Sequence, residues 1–200
     1  MVFCGRREEW GEQTARLARE AGGEATFVRA DVRIEAEVQA LVDRTASEYG
    51  RIDCAFNNAG FEAMAPLVEQ TETNSDLSLD TNVKGVFFSL KHEIRLMKEA
   101  GGGAIVNESS IAGLRGIPDN SLYSASKHAV IGLTKTAALE KAGFVRVFTR
   151  EGLTPYKSRR RDIAKNVCVR RALAARSARP CPKHLPRPSP FCHDRSRSRP

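Results

Sequence analysis

Over residues 1–141 short apolar runs alternate with longer stretches of helical period, and this alternation leaves few architectures open. Val2–Cys4, Ala25–Arg29, Ile52–Phe56 and Ala104–Asn107 read as strands. The intervening stretches Trp10–Ala21, Glu35–Tyr49, about Ser75–Ala100 and Ser121–Ala142 read as helices; in the second, Val38, Leu41, Val42 and Ala46 share one face. Near-continuous apolar strands, each followed by a helix, predict an α/β fold with a parallel sheet covered on both faces. Ligands in such sheets bind outside the carboxyl ends of the strands. The segments to inspect are therefore Gly5–Arg7, Asp31–Val32, Asn57–Gly60 and Ser109–Gly113.

Charge divides the chain. Residues 1–141 hold 16 Lys+Arg against 21 Asp+Glu, while residues 142–200 hold 16 against 3, so the net +8 averages two unlike parts. Seven of the nine prolines also lie in the second part. We expect a partial nucleotide-binding domain over 1–143 and a basic Arg/Pro-rich tail over 144–200, disordered because it has too little apolar surface to offset chain entropy. Phe144–Phe148 has the residues of one more strand. Three readings of the tail compete: a reading-frame change, an arm for nucleic acid, and a metal site. Isolated aromatics argue against the arm. The spacing of Cys181, His184, Cys192 and His193 matches no common zinc pattern, so no metal is expected. A frame change fits best. No apolar run approaches membrane-span length, no secretory leader precedes Val2, and the five cysteines are scattered, which together predict a soluble cytoplasmic protein.

Tyr123 and Lys127 stand four apart on one helical pattern and so share a face. A fixed ammonium near a phenol favours the phenolate and lowers its pKa toward the working range of an acid–base catalyst. The spacing alone equally describes two solvated side chains. Thirteen residues earlier lies Ser110, at the ligand edge of the sheet, with Ser109 as the alternative hydroxyl. Asn82 interrupts a long helical pattern, and asparagine in such a place invites a reason.

Taken in order, Gly5-Arg6-Arg7, Asp31-Val32, Asn57-Asn58-Ala59-Gly60, Asn82, Ile105–Ser110 and Tyr123-x-x-x-Lys127 resemble the short-chain dehydrogenase/reductase family. The resemblance implies an incomplete Rossmann-like, doubly wound parallel sheet. It implies Tyr123 as general acid and base, Lys127 as the group that lowers its pKa and binds the nicotinamide ribose, Ser110 as the group polarising the substrate carbonyl, and Asn82 as holder of a relay water. Asp31 and Val32 would flank the adenine, and Asn58, Ala59 and Gly60 the adenosine and ribose. The family's first strand and its glycine-rich turn, T-G-x-x-x-G-x-G, have no counterpart in this sequence. By resemblance that strand is central, lying between those represented by Val2–Cys4 and Ile52–Phe56.

Cofactor choice turns on the residues after the first strand. An acidic residue there would favour NAD, whereas Arg6 and Arg7 match the 2′-phosphate of NADP, with NAD as the second candidate. The expected activity interconverts a small alcohol and ketone, in a homodimer or homotetramer, with no membrane or nucleic-acid partner. The alternative is a non-catalytic remnant or interaction module lacking the glycine-rich turn.

Overall fold

The computed structural model describes residues 1–141 and 145–150. Five strands, β1 (Val2–Gly5), β2 (Thr26–Arg29), β3 (Cys54–Asn57), β4 (Gly103–Glu108) and β5 (Val145–Arg150), alternate with the helices of this region. The helices are α1 (Glu8–Glu20), α2 (Glu35–Tyr49), α3 (Glu72–Leu79), α4 (Gly85–Glu99) and α5 (Ser121–Lys141). Every ladder is parallel, with Cys4 opposite Val28, Phe56 opposite Val106 and Val106 opposite Phe148. The strand expected near residues 144–148 is thus β5, and residues 145–150 pair with β4 although they fall inside the expected tail. The rest of the expected tail lies outside the described residues.

Among the described residues the strands form two parallel pieces, β1-β2 and β3-β4-β5, with no ladder between β1 and β3. The division falls where the resemblance places the family's central strand. It leaves Phe56 half exposed at 51%, although phenylalanine in a parallel sheet is ordinarily covered on both faces. The main core gathers Val42, Val86, Leu90, Met97, Ile105, Val130 and Val147 from both helix layers and the larger sheet piece. A second, smaller cluster of Ala15, Ala25 and Phe27, with Phe3 and Ala18 against it, seats α1 on β1 and β2.

The helix expected near Ser75–Ala100 runs without a gap from Glu72 to Glu99 and widens in its middle. Between α3 and α4 a π-helical turn spans Asp80–Lys84, and Asn82 within it is fully buried. The widened turn inserts one extra residue per backbone loop and redirects the side chain it carries, a device found mostly at functional sites. Just beyond it, Gly85 admits the side chain of Val32: a Cβ there would lie 2.8 Å from Val32 Cγ2. That close approach brings the loop after β2 against the start of α4.

Candidate active site

Strand β4 delivers two adjacent serines to the carboxyl edge of the sheet, and they part in role. Ser109 is buried and donates to the Lys127 carbonyl at 3.1 Å. It packs where Gly113 has no side chain; a Cβ there would come within 2.5 Å of Ser109 Oγ and 2.8 Å of the Lys127 carbonyl oxygen. Ser110 has extended backbone, and its Oγ accepts the Ala112 N–H at 3.2 Å, opening the 3₁₀ turn Ile111–Gly113. Its hydroxyl favours the Tyr123 phenolate, against the effect of burial. Of the two hydroxyls, Ser110 is the one beside the tyrosine.

Helix α5 presents Tyr123 and Lys127 one turn apart, as their spacing predicted. Lys127 is buried, donates from Nζ to the Glu108 carbonyl at 2.8 Å, and stands 5.4 Å from the centroid of the Tyr123 ring. Burial pulls the Lys127 pKa below the usual ammonium range, against Glu108 and Glu62, which push it up. Tyr123 departs from the expectation that Lys127 would lower its pKa. Burial raises the phenol above its usual value, Glu62 and Glu108 add to the rise, and only Ser110 opposes it.

Asn82 holds these pieces together. Its Oδ1 accepts the Phe61 N–H at 2.7 Å, and its Nδ2 donates to the Phe61 carbonyl at 2.9 Å and to Ser126 Oγ at 2.8 Å. Ser126 in turn donates to the Tyr123 carbonyl at 2.8 Å. One buried amide therefore clamps the segment after β3 to the turn of α5 that carries the tyrosine. Gly60 lies in the same place; a Cβ on it would sit 3.6 Å from Asn82 Oδ1 and 3.9 Å from Lys127 Nζ. Asn58 and Ala59 precede it in the loop leaving β3.

At the far end, Asp31 is clasped by Arg33: Nε reaches both carboxylate oxygens at 3.0 Å and Nη2 reaches Oδ2 at 2.5 Å. This pairing, with a contribution from Arg6, holds the Asp31 carboxyl below its usual range. Arg6 is exposed, and Arg7 lies over the Trp10 ring at 5.4 Å. Two guanidinium groups thus flank Asp31 where β1 and β2 end. The described residues fit the two ends of a dinucleotide: cationic groups for a phosphorylated ribose, and a lysine beside Gly60 for the nicotinamide side. A glycine-rich strand-to-helix turn for the pyrophosphate is not among them. No cluster of metal-ligating side chains occurs among the described residues, and no helix there is long and apolar enough to cross a membrane.

Sequence reasoning missed Arg33, Glu62, Asn120 and Ser126. Ser126 had a signal, since it sits beside Lys127 on the face of α5 turned inward. Glu62 and Asn120 had none, because their hydrogen bond joins loops 58 residues apart.

The fold is a parallel α/β sheet with serine, tyrosine and lysine gathered at its carboxyl edge. Residues 1–150 match the model of the short chain dehydrogenase family, and the chain belongs to that family. It is 42% identical over 143 residues to a 3beta-hydroxysteroid dehydrogenase of Mediterraneibacter gnavus, covering 71% of this chain and 51% of that protein. It is 43% identical over 122 residues to a 2,5-dichloro-2,5-cyclohexadiene-1,4-diol dehydrogenase of Sphingobium indicum, covering 60% and 49%. Among solved structures, ElxO with NADP bound superposes with a TM-score of 0.70 at 33% identity, over 74% of this chain and 60% of that one. A family member from Burkholderia phymatum in complex with NAD gives 0.70 at 32% identity, over 75% and 54%. The chain spans about half the length of the curated relatives it matches.

Proposed function

We propose that this chain carries the catalytic centre of an NADP-dependent, cytoplasmic oxidoreductase that interconverts a small secondary alcohol and its ketone. The observation that carries the reading is the convergence of Ser110, Tyr123 and Lys127 at the end of β4. In reduction, the Ser110 and Tyr123 hydroxyls hydrogen-bond the substrate carbonyl oxygen, and the phenolic proton passes to that oxygen as the carbinol forms. In oxidation, the phenolate takes the hydroxyl proton. Bound nicotinamide supplies or accepts the hydride; the protein contributes binding, orientation and electrostatics. Lys127 holds the ribose beside Gly60, while Asn82 fixes the loop that Asn58, Ala59 and Gly60 contribute. Arg6 and Arg7 take the 2′-phosphate, and Asp31 and Val32 flank the adenine. NAD is the second candidate.

The division of the sheet between β1 and β3 favours one other reading, a non-catalytic interaction module that keeps the fold. One titration separates the two. Nucleotide fluorescence should report NADPH binding at least about tenfold tighter than NADH, since a 2′-phosphate paired with arginine is worth about 1.4 kcal/mol or more. Equal or undetectable binding of both nucleotides would favour the module.

We further propose a two-fold assembly through α4 and α5, which expose Phe87 and Leu139. Sedimentation at about micromolar concentration, where stable dimers persist, should give a dimer or tetramer mass. A monomer there would count against it.

A further inference from the structure

We propose that Glu62 discriminates among substrates at this site, selecting a neutral molecule that carries a second hydrogen-bond donor and turning away one that carries a carboxylate. The inference rests on the reading of Tyr123 as the reaction centre and adds the class of substrate that the centre accepts.

Glu62 stands two residues past Gly60 in the loop that leaves β3, on the exposed rim of the site. Its hydrogen bond to Asn120 holds the carboxylate at the start of α5, three residues before Tyr123, and its charge acts on both Tyr123 and Lys127. The groups facing the Tyr123 phenol are Ser110, Glu62, Glu108 and, across the ring, Lys127. Glu108 ends strand β4 and is half-buried, whereas Glu62 is exposed to solvent.

The carboxylate is also held in place. Asn120, at the entry to α5, donates from Nδ2 to Glu62 Oε1. The two loops are further joined where the Ala65 N–H meets the Asp119 carbonyl at 2.8 Å. Only Oε1 is engaged by a described side chain, so the second oxygen remains available as an acceptor. Asn120 is only 5% exposed, and its own Oδ1 is buried without a hydrogen-bond partner; Ser124 Oγ, one turn along α5, is in the same condition. A fixed acceptor charge on the exposed rim suits a hydroxyl or amine and repels a carboxylate. Sites built to bond a substrate donor reject the analogue that lacks it far more strongly than apolar pockets discriminate size.

The test uses the full chain with NADP, comparing cyclohexanediol with hydroxycyclohexanecarboxylate in the wild type, Glu62→Gln and Glu62→Asp. The wild type should favour the diol in kcat/KM. Glu62→Gln should reduce that preference by about 10- to 100-fold, the range for a hydrogen bond to a charged group, and Glu62→Asp should restore part of it. Separately, ultraviolet difference titration against Tyr123→Phe reads the phenol itself, and Glu62→Gln should move its titration to lower pH. An unchanged preference, or an unmoved phenol, would overturn the proposal. If the wild type turns over neither compound, the oxidoreductase reading fails, and ligand-observed NMR then decides for Glu62. Tighter binding of the diol than of the carboxylate, lost in Glu62→Gln, supports the proposal; equal binding overturns it.

Discussion

Tyr123→Phe is expected to lower turnover by about 10²- to 10⁴-fold, the contribution of a positioned general acid or base, while leaving NADPH affinity nearly unchanged. The substitution removes one hydroxyl and keeps the ring, so the packing over Lys127 at 5.4 Å survives. What is lost is the phenolic proton donor. Burial, Glu62 and Glu108 hold the phenol protonated beyond the range of an ordinary tyrosine. The wild type is therefore poised as an acid for reduction at neutral pH, and its oxidative rate should climb as pH rises toward the phenol's titration. In Tyr123→Phe that rise should vanish. Steady-state rates in both directions from pH 6 to about 10, a window reaching up to the titration of ordinary tyrosine, with a parallel NADPH titration, check both points. Turnover within about tenfold of wild type would remove Tyr123 from the proton transfer, since that lies below the range such a group supplies.

Local periodicity revealed most of the elements, and long-range pairing hid the rest. Helix α2 runs Glu35–Tyr49 as read from its apolar face, with Val38 and Val42 buried where that face predicted. The region from Ser75 to Ala100 read as one helix because a π turn adds a residue without disturbing the average period. The oddity of Asn82 was the visible trace of it. Ser126 and Phe61, the partners that explain the asparagine, lie 44 and 21 residues away, beyond any pattern argument. The separation of β1 from β3 was likewise invisible to periodicity, which finds strands and says nothing of their neighbours. Glu93 had a signal that went unread. Val86, Leu90, Glu93 and Met97 form a stripe at helical spacing, and a carboxylate on such a stripe is either paired or perturbed.

That carboxylate should make the stability of the fold depend on pH between about 4.5 and 7. Glu93 lies on the inward face of α4, where its Oε2 accepts from Asn57 Nδ2 at 3.0 Å. The same amide donates to Asn107 Oδ1 at 2.9 Å, Asn107 donates to Thr134 Oγ1 at 2.9 Å, and Thr134 closes on the Val130 carbonyl at 2.7 Å. A line of polar groups thus crosses from α4 past β3 and β4 to α5. One hydrogen bond does not replace the water a carboxylate loses. Burial pushes the Glu93 pKa from 4.5 up to about 7. The folded state then holds its proton more tightly than the unfolded chain does. The stability this contributes is full below pH 4.5 and is lost as pH rises through 7, the opposite of a salt-bridged carboxylate such as Asp31. A rise of that size corresponds to about 3 kcal/mol, a large share of the roughly 5–15 kcal/mol that holds a domain. Thermal unfolding followed by circular dichroism should show Tm falling by about 10 °C between pH 5 and 8. Glu93→Gln keeps an acceptor for Asn57 and cannot ionise, so its Tm should be nearly flat across the same window and should exceed the wild type at pH 8. Parallel slopes in the two proteins would mean that another group titrates there, and that Glu93 is solvated in a way its burial does not allow.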